Sequence, residues 1–381
     1  MDEHRFSRLF PPELEHRILA LLGHSDLTRT ALACRRFRDL SVSLLFRHIA
    51  LRSVHFDDKG DAVYRTLNNS CKAIFRILDN ITLGRHVRFL EVYVPWLFGT
   101  VDHGRAAGMT TDELYTVWSS MPGLVALSVS GPIPNDQDLG LQDIDFPRLQ
   151  RLELSRPDCF IGFLQRHLPR LQHLSVVGVT NIPADCDLTV DTLVHYEGPY
   201  LLLMRLLHAG TRTHSLESCA VFGDIGSGTP PTLAPLARYQ TLRYLSIGLD
   251  ADRTTLLEMI RDCPPFTGVK SLKIDFEDEY DWNTQMVPTS STDPPWSQLI
   301  RPFPAALYLV FIVDMEYDVV SERGLAWAKE ISETCKDAVV IVLSDFGFTR
   351  AGPDFDWVAD DEAEDAIDGS LYPSVVHAVS R

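Results

Sequence analysis

Seven cysteines, at positions 34, 71, 159, 186, 219, 263 and 335, and thirteen histidines are the side chains from which nucleophilic, redox or metal chemistry would have to be built. The cysteines form no CxxC pair and lie far apart, so neither a disulfide framework nor a zinc site is expected. The histidines are dispersed. The chain contains no phosphate loop, no GxSxG elbow, no HExxH and no dinucleotide fingerprint. Asp345-Phe346-Gly347 spells a kinase tripeptide, but the HRD loop and Gly-rich strand that would give it meaning are absent. The stretch CAVFGDIGSGT at 219–229 holds three glycines and reads as a turn rather than a nucleotide loop. The run DFEDEYDWNTQMVPTSSTDPPW, beginning at Asp275, is long and acidic, but its carboxylates lack the spacing of an EF-hand and read as a solvated loop. No catalytic residue, metal ligand or cofactor site is expected; the side chains point to binding instead.

Charge narrows the partners. With 35 basic and 52 acidic residues the formal net charge is −17, which opposes nucleic acid and anionic membrane surfaces. Residues 1–50 differ from the rest: eight Arg balance six acidic side chains there, so two regions with different partners are expected. The apolar share of 45% supports a sizeable core. The opening MDEHRFSRLF has no apolar h-region, so no signal peptide is read there. The most apolar stretch, residues 200–209, is interrupted by Arg205 and falls short of the roughly 20 residues of a membrane-spanning helix. Reduced thiols place the chain in cytosol or nucleus as an expectation.

The elements that would carry binding residues begin with three short helices in the first fifty residues. Pro11 and Pro12 open the first, where a missing N–H costs nothing. Glu13 and Glu15 suit its dipole, and Leu14, Ile18 and Leu22 share one face. Gly23 is read as its C-cap, and Ser25 or Asp26 as the cap of a second helix carrying Leu27, Ala31 and Cys34. A third run carries Phe37, Leu40, Leu44 and Leu45. So few residues bury little surface alone, so the unit should lean on a neighbour or partner.

The order Phe-Pro-Pro-Glu-Leu, Ile-Leu, Leu, Asp-Leu, Cys-Arg, Phe, Leu across residues 9–50 resembles the F-box, and the trailing LLFRHIAL is similar to its continuation in fungal F-box proteins. The resemblance implies docking on the Skp adaptor of Skp–cullin–F-box ubiquitin ligases. It assigns Phe10, Pro11, Pro12, Leu14, Ile18, Leu19, Leu22, Leu27, Cys34, Phe37 and Leu40 to the docking surface and its supporting core. A plain three-helix cap for the following segment is the alternative.

From residue 86 one phrase recurs: apolar, two others, apolar, one other, apolar. It reads VRFLEV at 87–92, LVALSV at 124–129, LQRLEL at 149–154, LQHLSV at 171–176, LVHYEG at 193–198, LESCAV at 216–221, LRYLSI at 242–247 and VKSLKI at 269–274. Degenerate copies follow near Leu307–Val313 and Val339–Leu343. From 124 the starts are spaced by 25, 22, 22, 23, 26 and 27 residues, within the roughly 20–29 of leucine-rich repeats. Intervening segments carry helical periodicity, as in Leu114, Val117, Trp118 and Met121, or Phe160, Phe163, Leu164 and Leu168. The array resembles that of leucine-rich-repeat F-box proteins. The expected fold is α/β: a three-helix F-box-like module at 1–50, a helical linker or cap at 51–85, an irregular leucine-rich-repeat horseshoe at 86–350 and an acidic, partly disordered tail at 351–381.

Alternation along each strand sends every second side chain away from the core. That puts Phe89, Glu91, Tyr93, Arg151, Glu153, His173, Ser175, Tyr244, Ser246, Lys273 and Asp275 on the concave face, as expected contacts for a protein substrate. A solvated face without ligand is the alternative. The resemblance implies a non-catalytic substrate-recognition subunit that joins the Skp adaptor, and through it a cullin, to an unknown protein. A repeat scaffold that delivers nothing for degradation is the second reading.

Overall fold

The computed structural model describes residues 11–51, 72–94, 109–131, 139–155, 160–178, 186, 188–208, 215–223, 232–249, 255, 258–260, 263–275, 295–312, 317–343, 346–352 and 356–359. The chain divides into two compact units, Met1–Leu171 and Gln172–Arg381.

The first unit begins with three helices: α1 (Pro12–Leu19), α2 (His24–Ala33) and α3 (Arg35–Leu45). Pro12 takes the first helical position of α1, and Glu13 and Glu15 occupy its first turn. Leu19, Leu27, Ala31, Ser41 and Phe46 are buried in this unit. Glu15 is also buried, and its Oε2 accepts from Arg36 Nε at 2.8 Å, tying α1 to α3. Two end assignments change. Helix α1 stops at Ala20 instead of Gly23, and Gly23 precedes α2 as its N-cap residue. Ser25 and Asp26 therefore lie inside the first turn of α2, past the place from which a side chain could cap. Cys34 caps α3: its Sγ accepts from the Phe37 N–H at 3.4 Å.

Strand β1 (His48–Leu51) follows directly and pairs parallel with β2 (Phe89–Tyr93). Between them the described residues hold a helical stretch at 72–79 and a 3-10 turn, Ile81–His86. β2 pairs with β3 (Ala126–Ser130), and β3 with β4 (Arg151–Leu154), all parallel. Helix α4 (Thr111–Ser119) lies between β2 and β3 in the chain, and α5 (Ile161–His167) follows β4. α4 starts at a reciprocal cap: Glu113 N–H donates to Thr110 Oγ1 at 3.3 Å, and Thr110 N–H donates to Glu113 Oε2 at 2.8 Å. Its spacing buries Leu114, Val117 and Trp118.

In the second unit β5 (His173–Val176), β6 (His195–Pro199), β7 (Ser218–Gly223), β8 (Tyr244–Leu249), β9 (Ser271–Asp275), β10 (Tyr308–Ile312) and β11 (Val340–Leu343) pair in chain order, every neighbour parallel. Helices α6 (Tyr200–His208), α7 (Pro295–Ile300) and α8 (Tyr317–Thr334) interleave with them. The direction then reverses: β12 (Phe346–Thr349) runs antiparallel to β11, and β13 (Val358–Ala359) antiparallel to β12. No such reversal is readable in the repeats. Residues 357–359 belong to this structured end instead of an acidic tail: Trp357 is buried, with the Arg350 guanidinium 4.8 Å from its ring centroid. The stretch from Cys219 likewise begins as strand, not turn, because β7 runs to Gly223.

One backbone device repeats in both units. A carbonyl one residue before or at the start of a strand receives two consecutive N–H groups from the next. Arg88 and Phe89 donate to Arg47 O, Val125 and Ala126 to Arg88 O, Arg243 and Tyr244 to Glu217 O, and Lys270 and Ser271 to Arg243 O. This fork fixes the register, and one register sets the face of every side chain. The inward sets Leu90–Val92, Leu127–Val129 and Leu152–Leu154 are buried in the first unit, as are Leu174–Val176, Leu245–Ile247 and Leu272–Ile274 in the second.

Candidate functional site

Two surfaces answer to the sequence expectations, one on the helices and one on the outward side of the strands. On the helices, burial separates residues the sequence had grouped together. Leu14 is 45% exposed and Ile18 51%, while Leu19 and Leu27 are buried. Pro11 is exposed, and Leu22, Cys34, Phe37 and Leu40 are half-buried. Phe10 lies outside the described residues, as does the side chain of Pro12. Two residues absent from the expected set stand out further, Leu21 at 86% and Leu32 at 76%. Leu21 lies just past the end of α1 and Leu32 in the last turn of α2. Large apolar side chains this open on a small module mark a contact surface more than a solvated one.

On the strands the alternation holds. Phe89, Glu91, Tyr93, Arg151, His173, Ser175, Tyr244, Ser246, Lys273 and Asp275 are half-buried and Glu153 is exposed, each beside at least one buried strand neighbour. Register aligns them into rows. In the first unit Phe89 stands opposite Ala126 and Ala126 opposite Arg151, while Glu91, Ser128 and Glu153 form the next row. In the second unit one row runs His173, His195, Ser218, Tyr244, Ser271, Tyr308, and the next runs Ser175, Glu197, Ala220, Ser246, Lys273, Val310. The expected set thus omits His195, Glu197 and Tyr308, which the same alternation in LVHYEG and in the degenerate copy at 307 would have supplied. Beyond these strand residues Val177 is exposed, and Gly248 of β8 is buried.

The rows make their own contacts. The His173 and His195 rings stack with centroids 4.3 Å apart. Ser175 Oγ donates to Glu197 Oε2 at 3.2 Å. His48 Nε2 lies 2.9 Å from Glu91 Oε1. At the far end the face turns apolar: Val310, Val340 and Val342 are buried together, with Tyr308 and Ile312 packed against them. Strands β10 and β11 are therefore covered on both sides, unlike β2 to β9. Within the second unit the face thus passes from stacked imidazoles and a hydrogen-bonded carboxylate to aliphatic side chains.

The buried thiols serve packing. Burial pushes the Cys219 thiol far up, and burial together with the Asp337 charge pushes Cys335 up to about 11, so neither is a thiolate nucleophile at neutral pH. Among the described residues no three His, Cys, Asp or Glu side chains converge as a metal ion would require. None of the described helices is long and apolar enough to cross a membrane.

Comparison with known proteins assigns the N-terminal part. Residues 8–52 match the F-box-like family, so the three helices and β1 make an F-box-like domain. No curated protein matches the chain. Among solved structures, one from yeast described as the crystal structure of the Rad7 and Elc1 complex is 14% identical, covering 86% of this chain and 95% of that one with a TM-score of 0.26.

Proposed function

We propose that this chain is the substrate-recognition subunit of a Skp–cullin–F-box ubiquitin ligase. The observation that carries the reading is the exposed apolar set Leu14, Ile18, Leu21 and Leu32 on a module that matches the F-box-like family. Water leaves such side chains at a gain of about 1.5–3 kcal/mol each when they are fully covered. The adaptor is the cover that the family resemblance supplies. Leu19 and Leu27 hold the module together and do not touch the partner.

The strands form the second half of the proposal. They are read as an irregular leucine-rich-repeat horseshoe, supported by strands that pair parallel in chain order and by the recurring carbonyl fork. Its outward rows bind a protein substrate. The chain itself makes and breaks no bond. It holds substrate beside the charged conjugating enzyme, and the gain is effective concentration.

Co-purification tests this. The whole chain should capture a Skp-type adaptor and, with it, a cullin. The variant Pro11→Ala with Leu14→Asp should lose capture while its circular dichroism stays that of the parent, since Leu14 is open to solvent and a carboxylate there is not forced into a core. Undiminished capture by the variant would reject adaptor docking through this face. Substrate lifetime in cells lacking the chain then separates a degradative receptor from a scaffold: unchanged lifetimes favour the scaffold.

A further inference from the structure

In a chain of net charge −17, one edge of the first unit gathers positive charge that no carboxylate among the described residues pairs with. Arg47 and Arg88 occupy equivalent places, one residue before β1 and one before β2, and the Arg88 N–H donates to Arg47 O at 2.9 Å. The 3-10 turn before β2 ends in Arg85 and His86. Arg88 Nη1 donates to Arg85 O at 2.9 Å and to Val87 O at 3.2 Å. Arg85 Nε donates to His86 Nε2 at 3.4 Å. Arg148 enters just before β4. The arginines feel one another. Burial depresses the Arg88 guanidinium, and the charges of Arg148 and Arg47 depress it further; burial, then Arg85 and Arg88, does the same to His86.

The cluster is positioned, not incidental. Gly123 leaves the slot in which Arg88 lies: a Cβ there would sit 1.6 Å from Arg88 Nη1. Arg47 is steadied by its guanidinium carbon 5.7 Å from the Phe89 ring centroid. Among the described residues no carboxylate pairs with Arg47, Arg85, Arg88 or Arg148. Glu91, on the adjoining face, is engaged by His48 at 2.9 Å. Further along the chain the contrast is plain, since Arg170 has Asp145 at 3.0 Å. Like charges held together cost free energy that a bound anion returns. Guanidinium forks match the oxygens of a phosphate, whose charge near −2 answers several cations at once.

We propose that Arg47, Arg85, Arg88 and Arg148, with His86, form a binding site for a phosphate group. Two sources offer that chemistry: a small phosphorylated molecule, or a phosphorylated side chain of a protein that lies along the neighbouring row Phe89, Ala126, Arg151. Nucleic acid is disfavoured because the surrounding charge is negative. The site holds whether or not the N-terminal helices carry an adaptor.

The test uses the whole 381-residue chain. Inorganic phosphate, compared with chloride at equal ionic strength, should raise the thermal midpoint of the parent. Phosphate also stabilises proteins by exclusion from their surfaces, so the variant decides. Arg47→Gln with Arg148→Gln should start at an equal or higher midpoint, because repulsion is relieved, and should lose the phosphate-dependent rise. Its affinity for O-phosphoserine, by calorimetry, should fall about tenfold or more. Arg148→Gln alone, which removes an exposed side chain, should fall between parent and double variant. A degenerate phosphoserine peptide pool separates the sources: binding tighter than O-phosphoserine assigns the site to a protein partner, and equal binding assigns it to a small molecule. The proposal is overturned by a parent that binds neither probe, or by a double variant that keeps the parent's affinity.

Discussion

His167 shows how a single side chain writes a pH limit into the first unit. It is fully buried at the end of α5. Its Nδ1–H donates to Phe163 O at 2.8 Å, and its Nε2 accepts from the Phe146 N–H at 3.0 Å. The bond accepted at Nε2 requires the neutral ring, whereas Nδ1–H can donate in either form. Burial lowers its pKa below the usual 6.5; the Phe163 carbonyl and the Asp145 charge oppose the shift without reversing it. The unfolded chain therefore takes up the proton first. The contribution of the neutral ring is complete above about pH 6.5 and is lost as pH falls from there toward the folded-state value, by at most about 1.4 kcal/mol per pH unit for one proton. Urea midpoints from pH 8 to pH 5 should decline more steeply for the parent than for His167→Gln. Parallel declines would remove His167 from the account. Nothing in the sequence marked this histidine, because its two partners, the Phe163 carbonyl and the Phe146 amide, are backbone groups that the fold alone brings to it.

At the scale of elements, short-range chemistry was the readable part. Thr110 and Glu113 are three apart before an apolar run, and they make the reciprocal cap of α4. Thr110→Ala should cost about 1 kcal/mol in denaturant unfolding and Thr110→Ser much less; equal losses would mean the cap is idle. The strands were legible for the same reason: alternation in phrases such as LQRLEL survives folding residue by residue, and β2 to β9 obey it. What failed depended on neighbours distant in the chain. His48–Leu51 reads as the trail of a helix, and is a strand because β2 lies beside it to take its hydrogen bonds. Gly23 reads as the end of α1 and is the entry to α2 because the helix already closes at Ala20, three residues earlier. Phe346 and Gly347, the last two residues of the kinase-like tripeptide, open β12, whose reversal is fixed by tertiary packing: a side chain at Gly324 of α8 would meet the Phe348 ring at 2.4 Å, so the glycine admits β12 against the helix. Exposure of Leu21 and Leu32 was equally hidden, since apolar residues at helix ends are indistinguishable in sequence from those of the core.

For the molecule as a whole, pairing in chain order means that each strand in a unit is stabilised chiefly by its two neighbours. Stability should then be local and transmitted stepwise. Leu245, fully buried in β8, offers the test. Leu245→Ala should cost about 2–5 kcal/mol, and amide protection in the second unit should fall most in β7, β8 and β9 and least in β12. A uniform loss across the unit would show one indivisible core instead. The antiparallel end has a separate effect. A stack of parallel strands would otherwise finish in a straight row of open amides and carbonyls, the template on which a second chain could add and a third after it. Here the last strand among the described residues is two residues long and runs against the direction of β12, so it offers little edge for another molecule to extend. The same turn that completes the second unit thus guards it from growing into a filament.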